Sequence, residues 1–79
     1  MDIKILGPGC QRCQALEKLT FDTLAELDVA ADVEKVTDIK QIMGYGVMST
    51  PGLVINGKVK LFGRVPTKGE LKELIKEEL

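Results

Sequence analysis

The chain has 79 residues, of which 44% are hydrophobic, 11 are basic and 12 are acidic, so its formal net charge is -1. This composition is typical of a single globular domain spanning residues 1–79, and it excludes a largely disordered chain. The balanced charge, the lack of a long basic block and the scarcity of aromatic residues argue against a surface for phosphates or bases. We therefore expect no nucleic-acid partner.

The first predicted element is a short strand at Asp2–Leu6, in which Ile3 and Ile5 share one face. The apolar run at this end of the chain is too short for an export signal or a membrane span. We therefore expect a cytoplasmic chain with no membrane partner. Because a reducing compartment disfavours a purely structural disulfide, the two cysteines of this chain indicate catalysis or metal binding.

A helix and a second strand are predicted next. Apolar residues recur at helical spacing from Cys13 to Leu27, which indicates a helix of about four turns. Apolar and polar residues alternate from Val29 to Val33, which predicts a strand that ends near Val36. Since a strand–helix–strand crossover is right-handed and joins parallel strands, the first two strands should be parallel.

A short second helix is predicted after Asp38, a suitable N-cap, with Gln41 three residues later to complete a capping box. Gly44 and Gly46 should end this helix. One apolar stripe should face the core, formed by Ile39, Ile42 and Met43.

The last part of the chain predicts a hairpin and a closing helix. Asn56-Gly57 is a strong hairpin signal between a third strand at Gly52–Ile55 and a fourth at Lys58–Phe62. Thr67 should cap the final helix, with Glu70 as its capping-box partner. The buried face of that helix should comprise Leu71, Leu74, Ile75 and Leu79.

The predicted order is therefore βαβαββα, which defines an α/β fold. The closing hairpin adds antiparallel strands to the parallel pair, so the sheet should be mixed and four-stranded. Helices should cover both of its faces.

The motif Cys10-Gln11-Arg12-Cys13 follows the first strand and opens the first helix. At a helix start, unpaired N–H groups and the positive end of the macrodipole should lower the Cys10 pKa from about 8.5 towards neutrality. Cys13 lies on the same side of the first turn, where the two sulfurs can close a disulfide. We expect Cys10 to be the nucleophile and the more buried Cys13 to resolve the mixed disulfide. Arg12 adds a positive charge beside them.

Other interpretations of the two cysteines remain open. They could be small core residues, or a C-x-x-C loop could supply thiolates to zinc or copper. One chain without histidine lacks a complete tetrahedral set, so a metal would be shared by two chains or passed on as Cu(I). Heavy-metal-associated domains, however, end on a strand, whereas this chain should end on an amphipathic helix. A non-catalytic interaction domain is the third possibility.

Thr50-Pro51 directly precedes the third strand, and with the C-x-x-C motif it makes the pattern more specific. Over nearly its whole length the chain resembles the thioredoxin and glutaredoxin superfamily, especially its small archaeal and bacterial redox-active disulfide proteins. The resemblance implies a thioredoxin-like fold, a cis Pro51 facing the cysteines and a Thr50 backbone open to substrate. It also implies an oxidoreductase that reduces client-protein disulfides in electron transport, with the Cys10–Cys13 disulfide as its redox group, no bound cofactor and no metal.

The chain departs from the usual motifs of this superfamily. Gly9 replaces the tryptophan of Trp-Cys-Gly-Pro-Cys, and Gln11-Arg12 replaces the inner residues of that motif and of Cys-Pro-Tyr-Cys. We therefore assign Gly9, Gln11 and Arg12 supporting roles, and we leave the reduction potential open. No acidic residue clearly matches the buried carboxylate of thioredoxins. The expected electron donor is a flavoprotein reductase or glutathione, and the expected state is a monomer.

Overall fold

The computed structural model describes all 79 residues and has the predicted element order. It confirms an α/β fold with one mixed, four-stranded sheet and three helices. None of these helices has the length and apolar character required to cross a membrane. The elements are β1 (Asp2–Leu6), α1 (Gln11–Leu27), β2 (Asp32–Val36), α2 (Ile39–Gly44), β3 (Gly52–Ile55), β4 (Lys58–Phe62) and α3 (Lys68–Lys76).

The sheet has the strand order β2-β1-β3-β4. β1 pairs in parallel with β2, as the crossover predicts, and antiparallel with β3. β3 and β4 form the antiparallel hairpin. β1 and β3 lie in the middle of the sheet. All of β3 is buried, and in β1 the buried residues are Ile3, Ile5 and Leu6.

Successive residues of the central strands supply two separate cores. Ile3 and Ile5 point to the face covered by α1 and α3, where they join a cluster that includes Leu16 and Leu71. Leu6 points to the other face, which is covered by α2. This alternation follows from the two-residue period of a strand. Burying each such side chain contributes about 1.5–3 kcal/mol, so both helical layers are held by apolar packing.

The predicted turn at Asn56-Gly57 is confirmed by backbone angles. Asn56 has φ 51° and Gly57 has φ 80°, and a two-residue turn of this kind needs positive φ at both positions. The turn is also tied to the first strand: the N–H of Asp2 donates to Asn56 Oδ1 at 3.0 Å, and the N–H of Asn56 donates to the carbonyl of Asp2 at 2.7 Å.

The predicted start of α1 is confirmed, whereas the predicted start of β2 was wrong by a few residues. Cys10, which the sequence analysis placed at the helix start, is the N-cap of α1, and the helix runs from Gln11. β2 begins at Asp32 rather than at Val29, because Asp28 ends α1 in the left-handed conformation and the Val29 N–H still bonds to the carbonyl of Leu24, at 3.0 Å. The apolar residues before β2 pack against the core from a loop.

The predicted apolar stripe of α2 was right only for Ile42, which is buried. Ile39 and Met43 are 56% and 67% exposed, since a helix of six residues covers the sheet with little more than one side chain. Asp38 does cap α2, by accepting a hydrogen bond from the N–H of Lys40 at 2.9 Å. The Gln41 side chain makes no hydrogen bond to the cap, so the predicted capping box is incomplete.

The closing helix α3 also has its predicted N-cap without the rest of the predicted capping box. Thr67 Oγ1 accepts from the N–H of Glu70 at 3.2 Å, as predicted. The Glu70 carboxylate does not complete the capping box, because both of its oxygens pair with the guanidinium of Arg64. Leu79 was predicted to be buried, but α3 ends at Lys76 and Leu79 is 72% exposed beyond it.

The Thr67 cap gives a test of how α3 is held. We expect Thr67→Ala to lower the free energy of unfolding by about 1 kcal/mol, because it leaves a helix N–H without its acceptor. Urea denaturation followed by circular dichroism measures the change. Lys18→Ala, at an exposed position of α1, is the control and should stay within about 0.5 kcal/mol of the parent. An unchanged midpoint in Thr67→Ala would contradict the assigned cap.

Candidate active site

Cys10 is the residue that joins the loop after β1 to α1. It is the N-cap of the helix, with an extended backbone at φ -69° and ψ 169°. Its Sγ accepts a hydrogen bond from the N–H of Cys13 at 3.3 Å, and its carbonyl accepts from the N–H of Gln14 at 3.0 Å. The sulfur therefore occupies the position where a capping oxygen usually satisfies an unpaired helix N–H.

The two cysteines are free thiols that differ in access to solvent. Their Sγ atoms lie 2.6 Å apart, within hydrogen-bonding distance. Cys10 is exposed, whereas Cys13 is only 5% exposed. A large molecule can therefore reach the sulfur of Cys10, while the sulfur of Cys13 is reached most readily through Cys10.

The same contact separates the acidities of the two thiols. The hydrogen bond from the Cys13 side chain, followed by the one from the Cys13 backbone N–H, holds the pKa of Cys10 below its usual value. Burial is the main cause that raises the pKa of Cys13, and its hydrogen bond to Cys10 adds to this effect. The pair therefore favours a thiolate on Cys10 and a proton on Cys13.

The residues between and before the cysteines are placed at the surface. Gln11 and Arg12 are exposed, and the Arg12 guanidinium forms no ion pair. The backbone N–H of Arg12 also lowers the Cys10 pKa, but by less than the two hydrogen bonds from Cys13. Gly9 has φ 98°, a region that glycine adopts most easily. Its carbonyl accepts a hydrogen bond from Gln14 Nε2 at 3.3 Å. Sequence reasoning missed Gln14, since no motif singles out an exposed glutamine.

Thr50 and Pro51 lie at the same end of the sheet as the cysteines. The antiparallel register places Leu6, the last residue of β1, opposite Gly52, the first residue of β3. The loops that leave and enter these strands are therefore neighbours. The Thr50–Pro51 peptide bond is cis. Pro51 is buried, with its carbonyl accepting from the N–H of Gly63 at 2.8 Å, and Thr50 is half-buried.

Gly7 lies at a place where the two loops come close together. A Cβ built on Gly7 would overlap the Sγ of Cys13 and would lie 3.8 Å from the Cβ of Thr50. Cys13 and Thr50 thus both lie next to the space where a side chain of residue 7 would begin. The structure therefore brings Thr50 close to Cys13, whereas Gln11 and Arg12 are exposed outside this contact.

A cavity of about 80 Å³ lies against Cys13. Gly7 forms part of its wall, and so do Glu17 and Lys35, whose side chains form an ion pair at 3.4 Å. A volume of this size holds a few water molecules when polar groups line it. No group of three or more His, Cys, Asp or Glu side chains converges anywhere in the chain.

Comparison with known proteins agrees with this geometry. A family model described as a thioredoxin domain matches residues 1–76. The chain belongs to the thioredoxin family. It is 40% identical over 75 residues to a thioredoxin of Methanothermobacter thermautotrophicus, an alignment that covers 95% of this chain and 97% of that protein. It is 32% identical over 77 residues to a thioredoxin of Methanocaldococcus jannaschii, covering 98% and 88% of the two chains.

A second thioredoxin of M. jannaschii is 36% identical over 76 residues, covering 92% of this chain and 88% of the relative. The resemblance seen in the sequence is therefore confirmed at the level of the family. Family membership supports thiol–disulfide oxidoreductase activity in general.

The sulfur–sulfur hydrogen bond predicts how the Cys10 pKa responds to substitution. We expect Cys13→Ala to raise the Cys10 pKa, because the largest cause of its lowering is removed. The thiolate absorbance at 240 nm, followed as a function of pH, measures this shift.

Arg12→Gln is the matched control for that titration. It keeps the backbone N–H and removes only the side-chain charge, so the Cys10 pKa should move less than in Cys13→Ala. A larger shift in Arg12→Gln would show that charge, and not the neighbouring thiol, sets the acidity of Cys10.

Proposed function

We propose that this chain is a thiol–disulfide oxidoreductase that reduces disulfides in client proteins through Cys10 and Cys13. The observation that carries the proposal is the unequal pair of thiols. An exposed sulfur with a lowered pKa lies 2.6 Å from a buried sulfur with a raised pKa. Because the thiolate is the attacking species, this arrangement suits an attack by Cys10 followed by resolution by Cys13.

The reaction then runs in two exchange steps. The Cys10 thiolate attacks one sulfur of the client disulfide, a new bond forms to Cys10, and the client's other sulfur leaves as a thiolate that takes up a proton. Cys13 next loses its proton and attacks Cys10 Sγ, so that the second client sulfur leaves. The client gains two electrons, and Cys10 and Cys13 are oxidised to a disulfide.

The Thr50–Pro51 segment is the proposed binding site for the client chain. Thr50 lies beside Gly7 and therefore beside the sulfurs. Its backbone N–H and carbonyl take no part in the hydrogen bonds of the turns, loops and caps. These groups are suited to pair with an extended client segment, as in recognition by strand addition.

The electrons for a second turnover must come from outside the chain. We propose no resident cofactor and no metal, since the dithiol itself carries the two electrons. A flavoprotein reductase or glutathione would reduce the Cys10–Cys13 disulfide again. The proposed setting is a monomer in the cytoplasm that serves electron transport.

Single cysteine variants test the order of attack. We expect Cys10→Ser to abolish reduction of a disulfide-bonded client such as insulin, because no accessible nucleophile remains. Cys13→Ser should instead accumulate a covalent Cys10–client adduct, visible by mass spectrometry and released by dithiothreitol. Lys18→Ala, remote from the site, should keep the parent rate. The mechanism is wrong if both cysteine variants retain full activity.

The reduction potential tests the direction of electron flow. We expect metal-free protein titrated against dithiothreitol redox buffers to show one reversible two-electron couple by free-thiol counting. A value near about -270 mV would match a reductant, whereas about -120 to -180 mV would indicate an oxidant or isomerase. The absence of a reversible couple, together with stoichiometric binding of Cu(I) or Zn(II), would favour a metal-transfer module instead.

A further inference from the structure

Gly7 is buried between β1 and α1, and its backbone conformation does not require glycine. Gly9, two residues later, has φ 98° and open space around its missing side chain. Gly7 has no positive φ, so other residues could adopt its backbone angles. A different property of glycine must therefore matter at position 7.

That property is the space left by the absent Cβ. A Cβ at position 7 would overlap the Sγ of Cys13 and would lie 3.1 Å from the Cβ of Cys13. The Sγ of Cys13 occupies the volume that any other residue at this position would fill. Interiors are packed closely enough that such an overlap has to be relieved by movement of one group or the other.

The backbone at position 7 has little freedom to move away. The N–H of Gly7 donates to the carbonyl of Val36 at 2.9 Å. Leu6, directly before it, is fully buried and pairs with Val36 on one side and Gly52 on the other. A side chain at position 7 would therefore displace the sulfur of Cys13 more readily than the strand.

We propose that Gly7 is a positioning residue for the resolving thiol, because its missing side chain lets Cys13 Sγ sit 2.6 Å from Cys10 Sγ. The consequence for exchange rests on the proposed function, in which Cys13 attacks Cys10 and expels the client sulfur. If Cys13 Sγ is displaced, this second step slows and the mixed disulfide persists. The hydrogen bond that lowers the Cys10 pKa is weakened by the same displacement.

The test compares Gly7→Ala with Gly69→Ala. Gly69 lies in α3 with nothing within 4 Å of an added Cβ, so its substitution controls for the change from glycine to alanine. Ellman's reagent serves as the probe: attack by Cys10 releases one thionitrobenzoate, and resolution by Cys13 releases the second. This assay follows both thiols without a client protein.

We expect Gly7→Ala to slow release of the second thionitrobenzoate by about 10- to 100-fold, since a displacement of about 1 Å can cost about 100-fold in rate. The Cys10 pKa, read from thiolate absorbance, should rise in the same variant. Gly69→Ala should match the parent in both measurements. An unchanged release rate and an unchanged Cys10 pKa in Gly7→Ala would overturn the proposal.

A double variant keeps the test decisive if Gly7→Ala is unstable. The variant Gly7→Ala/Cys13→Ala lacks the sulfur that the added methyl group would overlap. It should fold again, or lose less unfolding free energy on addition of the methyl group than the protein with Cys13 does. A double-mutant cycle measures this difference in unfolding free energy. An equal loss of stability in both backgrounds would mean that strand packing requires the glycine, and would overturn the proposal. Failure to reduce any client in the parent would refute the proposed function, while the Ellman assay would still decide the role of Gly7.

Discussion

The chemistry of this protein depends on a hydrogen bond between two sulfur atoms at the start of one helix. Cys10 caps α1 with its sulfur, and the helix turn then carries Cys13 back to within 2.6 Å of it. One sulfur is exposed and the other buried, so the environment that stabilises charge on Cys10 opposes charge on Cys13. Two chemically identical side chains thereby acquire different roles through hydrogen bonding and burial.

The sheet brings the remaining parts of the site to these sulfurs. β1 and β3 are antiparallel neighbours, so the end of one strand lies beside the beginning of the other. The loop that carries Cys10 and the loop that carries Thr50 therefore emerge at the same edge. The apolar cores on the two faces hold these central strands in place. Apolar packing thus determines where the loops meet, and the loops supply the chemistry.

Much of this arrangement could be predicted from local patterns in the sequence. The strand and helix periods, the Asn56-Gly57 turn and the position of Cys10 at a helix start each depend on neighbouring residues. The features that were missed depend on how particular side chains pack and pair, which the local patterns do not specify. Leu79 continues the apolar period of α3, yet the helix stops before it, and Glu70 pairs with Arg64 instead of its own cap. The overlap between a Cβ at position 7 and the Sγ of Cys13 depends on how α1 packs against the end of β1, which the sequence pattern does not specify.

The pairing of Asp2 with Asn56 has a practical consequence for how the protein can be attached to other molecules. Met1 and the hairpin turn lie at one end of β1, and the thiols follow the other end. A five-residue strand separates them by about 17 Å, at about 3.3 Å per residue. A group attached before Met1 therefore starts on the side of the domain opposite the thiols, whether it is an affinity tag, a surface anchor or a fused electron donor. A short tether leaves the sulfurs open to large clients, and a fused donor needs a linker long enough to pass around the sheet.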